Sequence, residues 1–125
     1  MEHKYSQRVY FSDTDCQGIV YHAKYLDFAE HARSEMIRFE VDQTKLLEDK
    51  VGFVLKEINV VYNIPAKLDD ILDVYTSVES MKLFSITLKQ DIKREEELIC
   101  SIKIKIACIN LESNKILKVK DYFGN

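Results

Sequence analysis

Over residues 5–11 apolar and polar positions alternate, with Tyr5, Gln7, Val9 and Phe11 on one side and Ser6, Arg8 and Tyr10 on the other. That period of two predicts a strand. Over residues 22–40 the period lengthens: Tyr25, Ala29, Ala32, Met36 and Phe39 recur at spacings of four and three, while Asp27, Glu30, Arg33, Glu35 and Arg38 carry the charge. This is an amphipathic helix of about nineteen residues, roughly 28 Å long. Ala29 and Ala32 on its stripe would let its backbone approach a packing surface closely. Residues 41–51 are polar and irregular, with a short helical turn expected at Leu46 and Leu47. Beyond Gly52 the pattern reads as sheet. Residues 53–64 are rich in Val, Ile, Phe and Tyr, with Val54, Ile58, Val60 and Tyr62 expected in phase. Pro65 to Asp70 breaks the strand, because proline cannot donate to a central ladder. Strands are expected at residues 71–79, at 83–92 (Phe84, Ile86 and Leu88 on one side) and at 98–111 (Ile102, Ile104 and Ile106). Charged or polar turns at 93–97 and 112–115 separate these from each other and from a short final segment.

The predicted order is strand, long helix, then four or five strands. Consecutive strands joined by short turns pair antiparallel, and the apolar face of the resulting sheet must be covered. Only one helix is long enough. The simplest α+β solution is a curved antiparallel sheet of about five strands wrapped around one central helix, the hotdog fold, as a single domain over residues 1–125. A ferredoxin-like arrangement would need a second long helix, which the pattern does not offer.

Bulk properties narrow the function. A net charge of −3 and a pI near 5.6 argue against a nucleic-acid or anionic-membrane surface, which needs a basic excess. No run of eighteen apolar residues suggests a transmembrane segment and no apolar h-region stands at the start, so a cytoplasmic protein is expected. Cys16, Cys100 and Cys108 are odd in number and lack CxxC spacing, which suggests reduced thiols and neither a disulfide framework nor a metal site.

The densest chemistry lies over residues 13–25, between strand and helix: Asp13, Asp15, Cys16, Gly18, Tyr21, His22 and Tyr25. Loop side chains at such a junction converge on a substrate while the flanking elements hold them still. Asp13 has the ordinary reading of a turn or capping residue. Tyr25 opens the apolar stripe of the helix, so core packing competes with pocket lining.

The run Val9-x-Phe11-x-Asp13-Thr14-Asp15-x-x-Gly18-Ile19-Val20-Tyr21-His22-x-x-Tyr25 resembles the signature of the 4-hydroxybenzoyl-CoA thioesterase family, most closely its bacterial YbgC-type branch of Tol-Pal-associated acyl-CoA thioesterases. Agreement continues through Glu30-x-Ala32-Arg33-x-Glu35-Met36 and Tyr62-x-x-Pro65-Ala66-x-Leu68-Asp69-Asp70. The resemblance implies thioester hydrolysis with Asp15 as nucleophile or general base. It also implies polarisation of the carbonyl by the backbone N–H of His22, where a helix start offers unpaired donors. Gly18, Tyr21, His22, Tyr25 and Lys82 are the expected substrate-binding residues, with acyl-CoA as substrate, no cofactor and no metal. The family's cluster of basic residues near Lys82 is reduced here, with Leu83 and Phe84 beside it, so acyl carrier protein stays open as the alternative carrier. The family pairs its sheets edge to edge, which implies a homodimer or homotetramer with the active site across the interface. A non-catalytic acyl-binding module is the other alternative. A hydratase would place its Asp and His about five residues apart, whereas Asp15 and His22 are seven apart.

Overall fold

The change of period at the 13–25 stretch marks where strand gives way to helix. The computed structural model describes residues 2–123. It runs β1 (Glu2–Arg8), a 3₁₀ turn (Phe11–Asp13), α1 (Lys24–Glu40), α2 (Gln43–Glu48), β2 (Val51–Tyr62), β3 (Ile71–Met81), β4 (Ile86–Arg94), β5 (Glu97–Asn110) and β6 (Ile116–Leu117). All six strands form one antiparallel sheet in the order β1-β3-β4-β5-β2, with the two-residue β6 added to β5. The single long helix covers one face, which is the hotdog arrangement.

The hairpins β3–β4 and β4–β5 follow the rule that neighbours in sequence pair. After Tyr62, however, the chain crosses the sheet, so β3 pairs with β1 and leaves β2 at the opposite edge. The two free edges therefore belong to β1 and β2. The long strand expected at 98–111 is enclosed between β4 and β2.

The core sits between α1 and the sheet. Tyr25, Phe28, Ala29 and Ala32 bury against Leu72, Val74, Ile92 and Ile102 at one end, and Met36 joins Leu46, Ile86, Leu88 and Ile104 at the other. Several apolar residues depart from the expected phase, each for a local reason. Phe11 is 81% exposed because β1 stops at Arg8 and the 3₁₀ turn swings it outward. Phe39, in the last turn of α1, is 77% exposed, with its ring centroid 6.3 Å from that of His3. In β2 a bulge at Lys56 inserts one extra residue, so Val54 lies opposite Ala107 and Ile58 opposite Ile104. Such a bulge reverses the alternation, putting Val54 on the other face from Ile58, Val60 and Tyr62. Phe84 falls in the bend before β4 and is exposed.

Gln90 occupies a core position on β4 that alternation assigns to an apolar residue, and it is fully buried. Its amide nitrogen donates to the Ala29 carbonyl and to Thr76 Oγ1, each at 2.9 Å, and its oxygen accepts from Arg33 at 3.1 Å. The small side chain of Ala29 leaves room for this reach. Burial pushes the Arg33 guanidinium below its ordinary value, with Glu30 opposing the shift. Leucine at position 90 would keep the apolar volume but strand these partners, and a stranded buried polar group costs about 1–3 kcal/mol. Gln90→Leu should therefore lower the unfolding free energy by about that amount; an unchanged urea midpoint would show that the network adds nothing to stability.

Candidate active site

The loop between β1 and α1 is a small hairpin closed on itself. Gly18 N–H donates to the Asp15 carbonyl, Asp15 N–H donates to the Ile19 carbonyl, and Thr14 bridges to Val20. Gly18 takes φ +81°, a left-handed conformation that glycine adopts without strain and that closes a bulged turn. The Asp15 side chain is half-buried, and its Oδ1 accepts the Gln17 amide at 2.9 Å. Oδ2 has no hydrogen-bond partner among the described residues.

Asp13 is occupied differently. It is buried, its Oδ2 accepts the Tyr10 amide at 2.8 Å, and its carbonyl accepts the Tyr21 amide at 2.9 Å. Lys24 Nζ lies 4.0 Å from Asp13 and 3.6 Å from Asp27. Asp13 thus holds both ends of the loop, the capping role open to it from sequence.

The helix begins at Lys24, two residues later than expected, and has no side-chain cap at Ala23. Neither the His22 nor the Ala23 N–H has an acceptor among the described residues. Uncapped first-turn amides at the positive end of the helix dipole form a ready site for negative charge.

Beside them lies a cavity of about 310 Å³, lined by Ile19, His22, Tyr25, Tyr62, Asn63 and Pro65 among others. Tyr62 donates to the His22 carbonyl at 3.0 Å, and its ring sits edge-on to those of His22 and Tyr25. Tyr21 packs against His22 with centroids 4.4 Å apart. The Tyr25 hydroxyl accepts the Ala66 amide at 3.0 Å, leaving its own proton to donate. Burial is the main cause that pushes the Tyr25 hydroxyl above its ordinary value, so it stays neutral.

The back of the cavity is the 65–70 loop, fixed at several points. Val20 N–H donates to the Ala66 carbonyl, while Val9 exchanges bonds with Asp69 and Asp70. Asp70 caps the loop by accepting the Lys67 amide at 2.9 Å and pairs with Arg94 at 2.6 Å.

Of the residues expected to bind or react, His22 and Tyr25 line one cavity, with Tyr21 packed on His22. Gly18 shapes the hairpin. Asp15 does not line the cavity but bonds through its backbone to Ile19, which does. Lys82 is elsewhere. It lines a cavity of about 560 Å³ with Asn59, Glu79, Lys103 and Lys105. Tyr62 and Asn63 were not singled out in the sequence, although Tyr62 opens the matched block that ends at Asp70. Cys100 and Cys108 are buried thiols pushed up to about 12 and about 11, chiefly by desolvation, and are unreactive. Among the described residues no group of three His, Cys, Asp or Glu could hold a metal ion, and no helix is long and apolar enough to cross a membrane.

A sheet wrapped on one helix, with an acidic hairpin leading into an uncapped helix start, defines a hotdog domain. The chain belongs to the thioesterase-like superfamily, whose family model matches residues 9–124. It is 41% identical over 110 residues to the acyl-CoA thioesterase YbgC of Haemophilus influenzae, covering 86% of this chain and 81% of that one. To the acyl-CoA thioester hydrolase YbgC of Escherichia coli O6:H1 it is 39% identical over 105 residues, covering 82% and 78%. The crystal structure of a probable thioesterase from Bartonella henselae superposes with a TM-score of 0.88 at 32% identity, covering 95% of this chain and 99% of that one.

The clamp on the 65–70 loop has a pH signature. Burial opposes ionisation of Asp70, but the Lys67 amide and the Arg94 guanidinium outweigh it and hold the carboxyl below its ordinary value. Its contribution is therefore complete above the ordinary carboxylate range and lost as pH falls through the depressed folded value. Asp70→Asn should cost about 1–2 kcal/mol at neutral pH, with the gap to wild type closing in acid below about pH 4. A gap that is constant across denaturation curves from pH 7 to pH 2.5 would contradict the ion-pair account.

Proposed function

We propose that this protein is an acyl-CoA thioesterase, releasing free acid and coenzyme A. The observation that carries the reading is the uncapped start of α1 next to the Asp15 hairpin, where His22, whose amide has no acceptor among the described residues, lines the aromatic cavity. Relatives near 40% identity that are named for acyl-CoA thioester hydrolysis support the substrate class.

Hydrolysis of a thioester needs an electrophilic carbonyl, a donor for the oxygen that becomes negative, and a group that attacks or activates water. The His22 N–H supplies the donor, reinforced by the helix dipole. The Tyr25 hydroxyl, free to donate, orients the substrate in the same cavity. Asp15, with one oxygen tied to Gln17 and the other unengaged, serves as nucleophile or as general base toward water. In the general-base route, water loses its proton to Asp15 and attacks the carbonyl carbon. Collapse of the tetrahedral intermediate breaks the C–S bond, and the coenzyme A thiolate takes up a proton. Lys82, with Lys103 and Lys105 nearby, provides positive charge for the substrate's phosphates, partly offset by the ion pair of Lys103 with Glu79 at 3.2 Å.

A cytoplasmic location and an association with the Tol-Pal system are carried over as implications of the resemblance. We also propose that the working unit is at least a dimer. The free edge of β2 exposes Leu55, Val61 and Tyr62, whereas the outer edge strand β1 alternates Glu2, Lys4, Ser6 and Arg8 on its exposed side. Charge protects an edge from pairing; an apolar edge invites it.

Asp15→Asn should lower kcat on acyl-CoA by roughly 10²–10⁴-fold with the fold intact, and near-normal turnover would remove Asp15 from the mechanism. The donor role is separable from the imidazole. His22→Ala keeps the N–H, while His22→Pro deletes it at a helix start that tolerates proline. Loss of such a donor costs on the order of 10²–10³-fold in kcat, so the proline variant should be far slower than the alanine variant, both being folded by circular dichroism. Equal rates would move the donor elsewhere.

A further inference from the structure

The first turn of α1 leaves one carbonyl without a backbone donor. In a regular α-helix the His22 carbonyl would accept from the N–H of Leu26, four residues on. Here the turn is tighter: Leu26 N–H donates to the Ala23 carbonyl at 3.1 Å, and Lys24 N–H to the Tyr21 carbonyl at 2.8 Å. No backbone N–H among the described residues donates to the His22 carbonyl, and the bond it does receive comes from the Tyr62 hydroxyl at 3.0 Å. A peptide unit is planar and trans, so its C=O and N–H point in opposite directions. Holding the His22 carbonyl therefore sets the plane of the whole His22–Ala23 peptide and the direction of its unpaired N–H. A hydrogen bond to the carbonyl also polarises the N–H of the same unit, because hydrogen-bonded groups in a chain strengthen one another.

Tyr62 is itself fixed before any ligand arrives. It ends β2 opposite Cys100, and the next two amides, of Asn63 and Ile64, both donate to the Ile99 carbonyl, at 2.9 and 3.2 Å. Its ring stands edge-on to that of Tyr25, with centroids 5.7 Å apart, and to that of His22 at 6.4 Å. The strand holds the root of the side chain and the two rings hold its tip. Desolvation, with the Cys100 thiol adding to it, pushes the Tyr62 hydroxyl above its ordinary value, so it keeps the proton it donates. Tyr25 differs. Its hydroxyl accepts the Ala66 amide and has its own proton left for a substrate, whereas the Tyr62 proton is already committed to the backbone.

We propose that Tyr62 is a positioning residue for thioester hydrolysis: its hydroxyl aims and polarises the His22–Ala23 peptide and so sets the open donor face of the helix start, to which the His22 N–H also belongs. This rests on the thioesterase reading and adds a residue to it. Tyr62 acts through the backbone and does not itself react. Its effect is largest where negative charge on the substrate oxygen is largest, in the transition state, and so falls on kcat rather than on KM.

Tyr62→Phe removes the hydroxyl and keeps the ring. In the full chain labelled with carbon-13 and nitrogen-15, nuclear magnetic resonance reads the bond directly: the His22 carbonyl carbon should move upfield in the variant, and the Ala23 amide nitrogen should shift with it. On a panel of acyl-CoA substrates kcat should fall roughly tenfold with KM within about twofold of wild type, while circular dichroism, thermal midpoint and sedimentation stay as in wild type. A normal kcat in a variant whose His22 carbonyl has shifted would overturn the positioning role. An unshifted His22 carbonyl would show that the bond is not made in solution and would overturn it equally. A fall in kcat that comes with a large loss of thermal stability, or with a matching rise in KM, would make Tyr62 a structural residue or a substrate contact instead. Absence of turnover by the wild type on every acyl-CoA, with the carbonyl shift still present in Tyr62→Phe, would overturn the thioesterase reading and with it the role in hydrolysis.

Discussion

The position of α1 on the sheet depends on one buried amide. Gln90 reaches from the middle of β4 to the carbonyl of Ala29, and its two remaining bonds, to Thr76 and Arg33, keep it from turning away. Hydrophobic packing alone would let a helix with an alanine-rich stripe slide along a surface of Ile, Leu and Val, because burial is nearly indifferent to small shifts. A directional bond is not. Once α1 is placed, Tyr25 meets the Ala66 amide, the 65–70 loop closes behind the 13–25 hairpin, and the uncapped amides at His22 and Ala23 fall beside a cavity.

Three acids around that loop take three roles, set by what surrounds them. Asp13 is buried and spends its oxygens on the Tyr10 amide and Lys24, so it builds the loop. Asp70 is tied to Arg94 and the Lys67 amide and locks the wall behind. Asp15 is half-buried and faces no cation, with Oδ1 on the Gln17 amide and Oδ2 without a hydrogen-bond partner among the described residues. This division explains why the pair Asp13 and Asp15, similar in sequence, is assigned unequal parts in the proposed chemistry.

Much of this was legible before the structure. The 3.6-residue stripe of α1, the strands after Gly52 and the count of one helix against one sheet follow from local periodicity, which short-range physics fixes. The failures share a cause in long-range placement. The bulge at Lys56, which turns Val54 away from Ile58, depends on how β2 registers with β5. The polar Gln90 at a core position makes sense only once Ala29 is known to lie above it. At the candidate site, Asp15, His22 and Tyr25 were marked by their matched block. Tyr62 opens a matched block of its own but was not singled out as a site residue, because its contribution is a hydrogen bond to a carbonyl forty residues earlier in the chain.

The edge of β2 carries the proposal that the working unit is at least a dimer joined through that strand. The apolar side chains of β2 stand beside a ladder edge with no partner in the single chain, while the charged β1 edge is protected. The claim is tested most directly by sedimentation and activity measured together across a dilution series. The account predicts a dimer or larger species at micromolar concentration and a specific activity that falls as that species dissociates. A monomer that keeps full specific activity would contradict it.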